Sequence, residues 1–351
     1  MLTISRDKVI DILKGGVEPA AYCDSGDKVI FATRDCYDDD LITEETPNGV
    51  KEGGMANPAT GPLYVNGAMP GDVLKVEILE IWLRGDGVMR TSPTAGAFHH
   101  LYKERTARRF YLGKNEETGR EGFWFDDRLW LDCDAMIGVI GTAPEGEEGV
   151  PTDTPGAHGG NMDCNRITAG STLYLPVHVP GALLALGDLH ARMGDGEVMI
   201  CGLETAGLVT VQVTVLEADE DERVSMMKGA LPLLLGADRT RGDEQDSKGR
   251  EQDSRGGEQD SDIGDKEGRS KEKGRELMTI QSAPTLDEAA LLAAQRMRQL
   301  VAGLTGLNDV DSGMLMSLVS DLAVCQIVDP LQTVRCAFPM GVLKQYGVSL
   351  P

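Results

Sequence analysis

The sequence predicts a mainly β fold with many turns, and three observations support this fold class. Glycine is frequent, with 43 of 351 residues, whereas aromatic residues make up only 5%. Up to residue 237, apolar residues occur in short runs that are rich in β-branched side chains and bounded by Gly, Pro, Asp or Asn. A clear helical pattern begins only at residue 285.

Five of the apolar runs predict strands. The run at 207–218 has a regular alternation in which Val209, Val211, Val213 and Val215 share one face. The run at 72–83 is longer than an average strand, so we expect it to bend partway. In chain order, the predicted strands lie at 27–35, 72–83, 136–144, 171–179 and 207–218.

A weak internal repeat accompanies these strands. Residues 63–74 and 173–184 share Leu-Tyr, Pro-Gly and a final Leu at identical spacing, 110 residues apart. The pattern indicates a possible internal duplication, with a common type of turn as the alternative explanation.

Residues 238–276 differ in composition from the rest of the chain. The tetrapeptide EQDS occurs three times there, and Ile263 is the only large aliphatic residue. Such a segment cannot bury enough apolar surface to offset the entropy of ordering it, so we predict a disordered charged insert. A solvated helical hairpin is the alternative. The insert divides the chain into a β-rich region, 1–237, and a C-terminal part, 277–351, that we expect to pack on the same core.

Two helices and a strand are predicted after the insert. The first helix spans 285–304, where Thr285 and Glu288 have the spacing of a capping box. A second helix is predicted at 311–324 and a closing strand at 332–343. The apolar stripe of the first helix consists of Ala289, Leu292, Ala293, Met297, Leu300 and Val301.

Charge and cysteine usage exclude several classes of function. The formal net charge of −23 argues against nucleic acid or an anionic membrane surface as a partner. The chain has no apolar run long enough to span a bilayer, and its first residues lack a signal-peptide pattern, so a cytoplasmic protein is expected. Seven scattered cysteines with no CxxC spacing indicate neither a disulfide framework nor a zinc knuckle.

Two glycine-rich motifs concentrate residues that can bind a metal. HGGNMDCN at 158–165 and GDLHARMGDGE at 187–197 contain two of the five histidines and several carboxylates. Zinc takes imidazole and carboxylate ligands, and glycines let the backbone approach a ligand closely. The motifs therefore indicate the walls of one metal site.

Each of these features also has a purely structural interpretation. GDGE is an ordinary hairpin turn, Asp35 can simply end its strand, and Asp38–Asp40 can form a solvated patch. Cys164 is a possible nucleophile, but no activating base is visible near it. The remaining histidines are expected in packed or solvent-exposed positions, namely His99, His100 and His178.

Longer blocks of sequence resemble the acetamidase/formamidase family of metal-dependent amide hydrolases. They are NPATGPLYVNGAMPGDVLKVEILEI, HGGNMDCNRITAGSTLYLPVHVPGALLALGDLHARMGDGE and SLVSDLAVCQIVDP, and MIGVIGTAPEG and TIQSAPTLDEA fit as well. The resemblance implies a mainly β protein with a β-sandwich or barrel-like core, a catalytic region at 1–237 and a smaller α+β C-terminal part. It also implies metal-assisted hydrolysis of small linear amides of the formamide/acetamide class to carboxylate and ammonia.

The resemblance further implies roles for residues in the two motifs. Glu197 is expected to be a ligand or to carry the proton, and Asn161 and Asp163 to support the ligands, hold a second cation or take part in catalysis. The metal is expected to be zinc, with calcium as a possible second ion. The expected metal ligands are Asp35, His158, Asp188 and His190.

Substrate binding and assembly are also implied. The backbone N–H groups of Gly159 and Gly160 are candidates for holding the oxyanion that forms during hydrolysis. Relatives often carry Gly-Gly-Gln where this chain has Asp38–Asp40, and Asp40 at the substrate position puts amide binding there in doubt. A homodimer or larger homo-oligomer is expected. The insert is expected to be dispensable.

Two alternative functions remain open at the level of sequence. One is a non-catalytic metal-binding β-sandwich, a degenerate relative that would bind metal but release no ammonia. The other is a covalent amidase with Cys164 as the nucleophile, which thiol alkylation would inhibit without loss of metal.

Overall fold

The computed structural model describes residues 1–39, 42–47, 55–238 and 274–351. The predicted insert therefore lies outside the described residues except for its two ends. In chain order the strands are β1 (Leu2–Ile4), β2 (Val9–Ile10), β3 (Ile12–Leu13), β4 (Ala21–Cys23), β5 (Lys28–Ala32), β6 (Ala59–Val65), β7 (Val73–Leu83), β8 (Asp86–Arg90), β9 (Ala107–Tyr111), β10 (Gly113–Lys114), β11 (Glu121–Trp124), β12 (Trp130–Asp132), β13 (Met136–Gly141), β14 (Val150–Pro151), β15 (Gly159–Asn161), β16 (Thr172–Pro176), β17 (Leu184–His190), β18 (Glu204–Thr205), β19 (Gly207–Leu216), β20 (Leu233–Leu235), β21 (Glu276–Ala283), β22 (Asp321–Gln326) and β23 (Gln332–Pro339).

Helices occupy much less of the described chain than strands. Short 3₁₀ helices lie at His99–Leu101 and Lys228–Ala230. The α-helices are α1 (Glu222–Met227), α2 (Leu286–Thr305), α3 (Asp309–Val319) and α4 (Met340–Gln345). None of the helices in the described ranges combines the length and hydropathy that a membrane span requires.

The strands form two nine-stranded sheets and two small ones. The first large sheet has the order β1-β5-β19-β7-β16-β20-β21-β23-β22. The second contains the path β15-β13-β17-β18-β8-β9, with β6 attached to β17 and with β2 and β4 attached to β6. The three-stranded sheet β10-β11-β12 and the pair β14-β3 lie outside them.

The two large sheets share one hydrophobic core. Val76 and Val209 of the first sheet belong to the same buried cluster as Ile137 and Leu186 of the second, and all four side chains are fully buried. Two sheets whose apolar faces pack together form a β-sandwich. The predicted mainly β sandwich fold is therefore confirmed.

The five predicted strands correspond to β5, β7, β13, β16 and β19. Val209, Val211 and Val213 of β19 are fully buried, as their alternation predicts, and Val215 packs partly buried against the same core. The expected bend in β7 appears as a register shift against β19 at Thr210 and Val211.

The two repeat copies pair with each other crosswise. Leu63 of β6 lies opposite Leu184 of β17 in the second sheet. Leu74 of β7 lies opposite Leu175 of β16 in the first sheet. Each copy therefore contributes one strand to each sheet, an arrangement that is compatible with the possible duplication.

The first C-terminal helix follows its prediction closely. Thr285 is the N-cap of α2, and its hydroxyl accepts a hydrogen bond from the backbone N–H of Glu288. Leu292, at the edge of the predicted stripe, is half-buried. The other stripe residues are buried and face the first sheet: Ala289, Ala293, Met297, Leu300 and Val301.

The last two predicted elements are wrong in their bounds. The predicted helix at 311–324 ends at Val319, because Asp321–Gln326 pairs with β23 as strand β22. The predicted closing strand at 332–343 ends at Pro339, after which α4 begins at Met340. Pairing with the neighbouring strand outweighs the local helical pattern in the first case.

Candidate functional site

The candidate site lies in the second sheet, where β17 ends beside β18. Asp188 and His190 are two positions apart in β17, so they project from the same face of the strand. The antiparallel register places His190 directly opposite Glu204 of β18. Asp163 follows β15, which pairs with β13, the other neighbour of β17.

These elements place the imidazole of His190 among three carboxylates. Its Nε2 atom lies 3.2 Å from Oε1 of Glu204, 3.5 Å from Oδ1 of Asp188 and 3.7 Å from Oδ1 of Asp163. All four side chains are buried, with no more than 2% of their surface exposed. The structure therefore brings together Asp163, Asp188 and His190, three of the residues that the sequence singled out.

Two groups of side chains in the described residues could hold a metal ion. The first consists of Asp163, His190 and Glu197, and the second of Cys36, Asp188 and Glu204. Within each group the potential ligand atoms lie within 4.8 Å of one another, and all these residues are buried. Glu197, which the sequence also predicted, thus joins His190 and Asp163.

The backbone is in the left-handed region at four residues of the site. The φ angles are 46° at Asn57, 41° at Asp163, 55° at Asp188 and 47° at Glu197. Residues other than glycine rarely adopt this conformation, and when they do they cluster at functional sites, where the surrounding structure holds them. The fold accepts unfavourable backbone geometry to direct these side chains.

Two glycines leave the space that the site needs. A Cβ atom at Gly138 would lie 2.5 Å from Oδ1 of Asp163 and 2.7 Å from Oδ2 of Asp188. A Cβ atom at Gly202 would lie 2.7 Å from Nδ1 of His190. Any larger side chain at either position would push a carboxylate or the imidazole out of place.

Several polar atoms of the site are buried without a hydrogen-bond partner in the described structure. Buried polar groups are ordinarily satisfied, so a cluster of unsatisfied carboxylate and amide oxygens indicates a site for a cation. The atoms are Asn161 Oδ1, Asp163 Oδ1, Asp188 Oδ1, His190 Nδ1, Glu197 Oε2 and Glu204 Oε2.

Burial and mutual repulsion shift the proton affinities of these groups. Burial, with the neighbouring charge of Asp188, raises the pKa of Asp163 to about 6 and that of Glu204 to about 7. Burial and the Asp163 charge raise the pKa of Glu197 well above its usual value. Burial lowers the pKa of His190, but the charges of Glu204 and Asp188 outweigh it, and the pKa is raised well above its usual value.

The net effect is an excess of carboxylates over positive charge. A buried carboxylate that must stay ionised needs a cation or hydrogen-bond donors beside it. His190 supplies at most one positive charge for four buried carboxylates. A divalent cation bound among them would favour their ionised forms, so the donor set fits a metal ion.

Asp329 and Asn57 complete the site, and neither was singled out from the sequence. Asn161 donates from Nδ2 to Oδ2 of Asp329 at 3.0 Å, and Asn57 donates from Nδ2 to Oδ2 of Asp188 at 3.2 Å. Burial and the charge of Asp163 raise the pKa of Asp329 well above its usual value. Asn57 thereby orients Asp188 beside His190, and Asn161 orients Asp329 beside Asp163.

Sequence reasoning also missed Glu204 and Cys36. The signals available were weak: Cys36 follows Asp35 directly, and Glu204 lies in a short segment after the second motif. Asp329 and Asn57 lie inside two of the sequence blocks that carry the family resemblance. The resemblance therefore marked the segments that contain them but did not indicate a role for either residue.

The structure does not bring Asp35 into either group. Its Oδ1 accepts hydrogen bonds from the backbone N–H groups of Tyr37 and Asp39, and its Oδ2 accepts from Arg84 at 3.0 Å. Arg84 also contacts Asp39 and Asp86. Asp35 therefore has donors for both oxygens, and its position suits fixing the loop that carries Cys36.

His158 is likewise outside the two groups. It is buried, and burial together with the nearby His178 lowers its pKa to about 4, so the imidazole is neutral at pH 7. A Cβ atom at Gly160 would lie 3.0 Å from its Nε2, which has no partner in the described residues. The predicted role of His158 as a ligand stays a prediction.

Of the residues predicted to bind the oxyanion or the substrate, the structure describes Gly159 and Gly160 but not Asp40. Gly159 and Gly160 lie in β15 with φ angles of 94° and 80°, and the N–H of Gly159 donates to the carbonyl of Gly156 at 3.1 Å. Their role towards an oxyanion stays a prediction. Asp40 lies outside the described residues.

The three remaining histidines lie where the sequence predicts them. His99 and His100 are exposed, and His178 is partly buried.

A cavity of about 350 Å³ opens onto the site. This volume lies within the range of about 300–1,000 Å³ that is typical of small-molecule sites. The cavity is lined by Asp163, Asp188, Glu197, Glu204 and Asp329, together with Tyr37 and Arg90. A small molecule in it would reach the potential metal ligands directly.

Cys164 does not have the position of a nucleophile. It is fully buried beside Cys325, and it is not among the described residues that line the cavity. Burial would raise its pKa, but a hydrogen bond with Cys325 and the charge of Arg335 lower the pKa to about 7. Nothing in the described geometry favours a covalent mechanism.

Comparison of the sequence with known proteins gives one consistent family. The sequence model of the Acetamidase/Formamidase family matches residues 13–147 and 132–231. Formamidase of Methylophilus methylotrophus is 44% identical over 212 residues, covering 45% of this chain and 51% of that protein. Acetamidase of Mycolicibacterium smegmatis is 41% identical over 71 residues, 20% of this chain and 18% of that protein. The chain thus matches about half or less of the length of these curated relatives.

Solved structures with a similar fold extend the comparison to nearly the whole chain. Acetamidase of Bacillus halodurans is 38% identical with a TM-score of 0.82, covering 99% of this chain and 100% of that one. A predicted acetamidase/formamidase of Thermoanaerobacter tengcongensis is 32% identical with a TM-score of 0.80, covering 99% of both chains. With the family model matching more than half of its residues, this chain belongs to the acetamidase/formamidase family.

Proposed function

We propose that this chain hydrolyses small linear amides of the formamide/acetamide class to carboxylate and ammonia, assisted by a divalent metal ion held beside His190. The observation that carries the proposal is the group of four buried carboxylates near one imidazole, each with an oxygen that lacks a hydrogen-bond partner and all lining one cavity. The family to which the chain belongs supports the same reaction.

The donor set favours zinc as the metal. His190 offers a nitrogen ligand, and Asp163, Asp188 and Glu204 place carboxylate oxygens 3.2–3.7 Å from Nε2 of its imidazole. Zinc accepts such mixed nitrogen and oxygen ligands, whereas calcium requires oxygen alone. When bound, the ion would act as a Lewis acid that activates water and polarises the amide carbonyl.

The chain's own residues would supply positioning and proton transfer. Glu204 and Asp188 hold the imidazole of His190 in place, and Asn57 and Asn161 orient Asp188 and Asp329. Glu197 is our candidate for accepting a proton from the attacking water and delivering it to the departing nitrogen. Burial and the Asp163 charge raise the pKa of Glu197 above its usual value, which favours uptake of a proton by this carboxylate.

The first experiment pairs metal analysis of the purified protein with ammonia release from formamide and acetamide, before and after chelation. We expect about one zinc per chain, loss of activity on chelation and its recovery when metal is restored. Metal present without ammonia from either amide would instead support the non-catalytic metal-binding alternative. Activity that survives complete metal removal would contradict the mechanism.

The Glu197→Gln variant separates the two roles of this residue. As a proton carrier it should lower turnover strongly, by about 10²–10⁴-fold, with little loss of bound metal. An equal loss of turnover and metal would make Glu197 a ligand instead. Glu80→Gln, on an exposed part of β7, is the matched control and should change neither quantity.

The remaining sequence predictions form part of the same proposal. We infer a homodimer or larger assembly and a cytoplasmic location. Calcium as a second ion would show in the same metal analysis. The effect of Asp40 on amide binding can be measured with Asp40→Gln, which restores the residue that relatives often carry and should lower KM if that position holds the substrate.

A further inference from the structure

The cavity has a second chemical character that hydrolysis of formamide or acetamide does not use. Its lining includes the carboxylate residues around His190 and also two arginines, Arg90 and Arg105. At about 350 Å³ it is also larger than a one- or two-carbon amide requires.

Arg90 is the better anchored of these two arginines. It is the last residue of β8, its backbone N–H donates to Sγ of Cys201 at 3.3 Å, and it pairs with Ala107 of β9. Its guanidinium lies over the ring of Tyr37, 4.4 Å from the ring centre. Tyr37 and Cys201 line the same cavity, so both contacts fix Arg90 in the wall.

The side chain of Arg90 keeps its hydrogen-bonding capacity. Among the described residues its guanidinium makes no hydrogen bond or ion pair, and its contact is the stacking on Tyr37. By contrast, Arg84, two residues before the start of β8, forms ion pairs with Asp35, Asp39 and Asp86. A half-buried guanidinium in an acidic protein, held by an aromatic ring with its donors available, has the character of a ligand-binding group.

We propose that Arg90 binds a carboxylate on the acyl side of the substrate, so that the preferred substrates are monoamides of short dicarboxylic acids. A planar guanidinium pairs with a carboxylate through two parallel hydrogen bonds. Neither formamide nor acetamide carries a carboxylate before hydrolysis, so neither could form this pair as a substrate. The amide would face His190 and the carboxylate would face Arg90 across the cavity. Arg105, exposed at the cavity, adds positive charge that offsets the negative potential of the chain.

This inference rests on the proposed amide hydrolysis and specifies the substrate class for it. The test compares malonamate, which carries one amide and one carboxylate, with malonamide, its uncharged analogue. The zinc-loaded wild-type protein should show a kcat/KM for malonamate at least about tenfold above that for malonamide. The variant Arg90→Gln should lower this ratio by about 10- to 100-fold, and Arg90→Lys should retain part of it.

Arg108→Gln is the matched control. Arg108 also stacks on aromatic rings, those of Phe110 and Phe125, and belongs to the strand that pairs with β8, but it lies outside the cavity. The ratio should be unchanged in this variant. An Arg90→Gln variant in which both substrates lose activity equally, or in which the ratio stays within twofold of wild type, would overturn the inference.

A binding measurement separates this inference from the proposed reaction. If the wild-type protein hydrolyses no amide at all, the proposed function fails, and calorimetric titration of the zinc-loaded protein with malonate then tests Arg90 alone. Binding that weakens at least tenfold in Arg90→Gln supports the carboxylate site. Equal binding by both proteins, or no binding by the wild type, contradicts it.

Discussion

Glu204 and His190 face each other across the β17–β18 ladder, with Oε1 of Glu204 3.2 Å from Nε2 of His190. Of the three carboxylates around this imidazole, that of Glu204 is the nearest. Because the contact is set by strand register, a change in the Glu204 side chain alters the imidazole environment without moving the backbone. Glu204 also belongs to the second potential metal group, with Cys36 and Asp188.

We therefore expect Glu204→Gln to weaken the site while preserving the fold. The amide keeps the size of the side chain but removes its charge, and loss of a group that supports metal ligands typically costs 10- to 100-fold in metal affinity or activity. Zinc content after dialysis and ammonia release from acetamide measure the two effects. Full retention of both would show that Glu204 contributes nothing to the site, and Glu80→Gln again serves as the exposed control.

Gly138→Ala tests whether the space beside Asp163 is required. The added Cβ would lie 2.5 Å from Oδ1 of Asp163 and 2.7 Å from Oδ2 of Asp188, so both carboxylates would have to move. Gly138 does not have a positive φ angle, so the substitution introduces crowding without backbone strain. We expect a loss of about 1–3 kcal/mol in the free energy of unfolding and a clear loss of metal.

Gly113→Ala is the control for this substitution. Gly113 also lies in a strand, β10, and a Cβ atom there would meet nothing within 4 Å. Thermal unfolding and zinc content should be unchanged. If Gly138→Ala keeps the zinc content of the wild type, zinc binding does not require both the Asp163 and the Asp188 carboxylates in their present positions.

Local patterns were enough to predict five of the strands, namely β5, β7, β13, β16 and β19, and the first long helix. The alternating valines of β19 and the capping box at Thr285 are encoded within a few residues, and the structure matches both. The local pattern predicts a helix over 321–324, because the apolar residues there continue the helical spacing. The segment is a strand because β23, which follows it in sequence, offers an edge with which to pair.

For the candidate site too, some residues could be predicted from local sequence, whereas others depend on contacts between distant parts of the chain. Asp163, Asp188, His190 and Glu197 stand in two dense motifs, so composition alone indicated them. Asp329 reaches Asn161 from 168 residues away, and Glu204 reaches His190 only through strand register. Such partners depend on which strands become neighbours, and a single sequence does not contain that information in local form.

Stability of the metal-free protein should fall as pH rises from about 4 to 8. Burial raises the pKa of Asp163 from an ordinary 3.8 to about 6 and that of Glu204 from 4.5 to about 7. Across this interval the folded state holds protons that the unfolded state has released, so the free energy of unfolding decreases with increasing pH. The raised pKa of His190 acts in the same direction, whereas His158, whose pKa is lowered to about 4, opposes it below pH 6.5.

Thermal melts of the chelated protein at pH 5.5 and pH 8 measure this dependence. We expect the Tm to be several degrees lower at pH 8, and zinc to reduce the difference because a bound cation favours the ionised carboxylates. The growing net negative charge also lowers Tm with pH, so Glu204→Gln is the necessary comparison: it should show a shallower decline than wild type. Equal slopes for the two proteins would contradict the assigned shift at Glu204.

Removal of residues 239–273 should leave the fold and the site intact. These residues connect β20 to β21, and Leu235 and Leu277 are cross-strand partners in that pair, with Gly236 donating to the carbonyl of Glu276 at 2.8 Å. The chain ends left by the deletion are therefore already close together, and a short Gly/Ser turn can join them. Each halving of a connecting loop favours the folded state by about 0.6 kcal/mol, so Tm should be unchanged or slightly raised. Zinc content and ammonia release should match the full-length protein; loss of activity with an unchanged melt would instead show that the segment takes part in function.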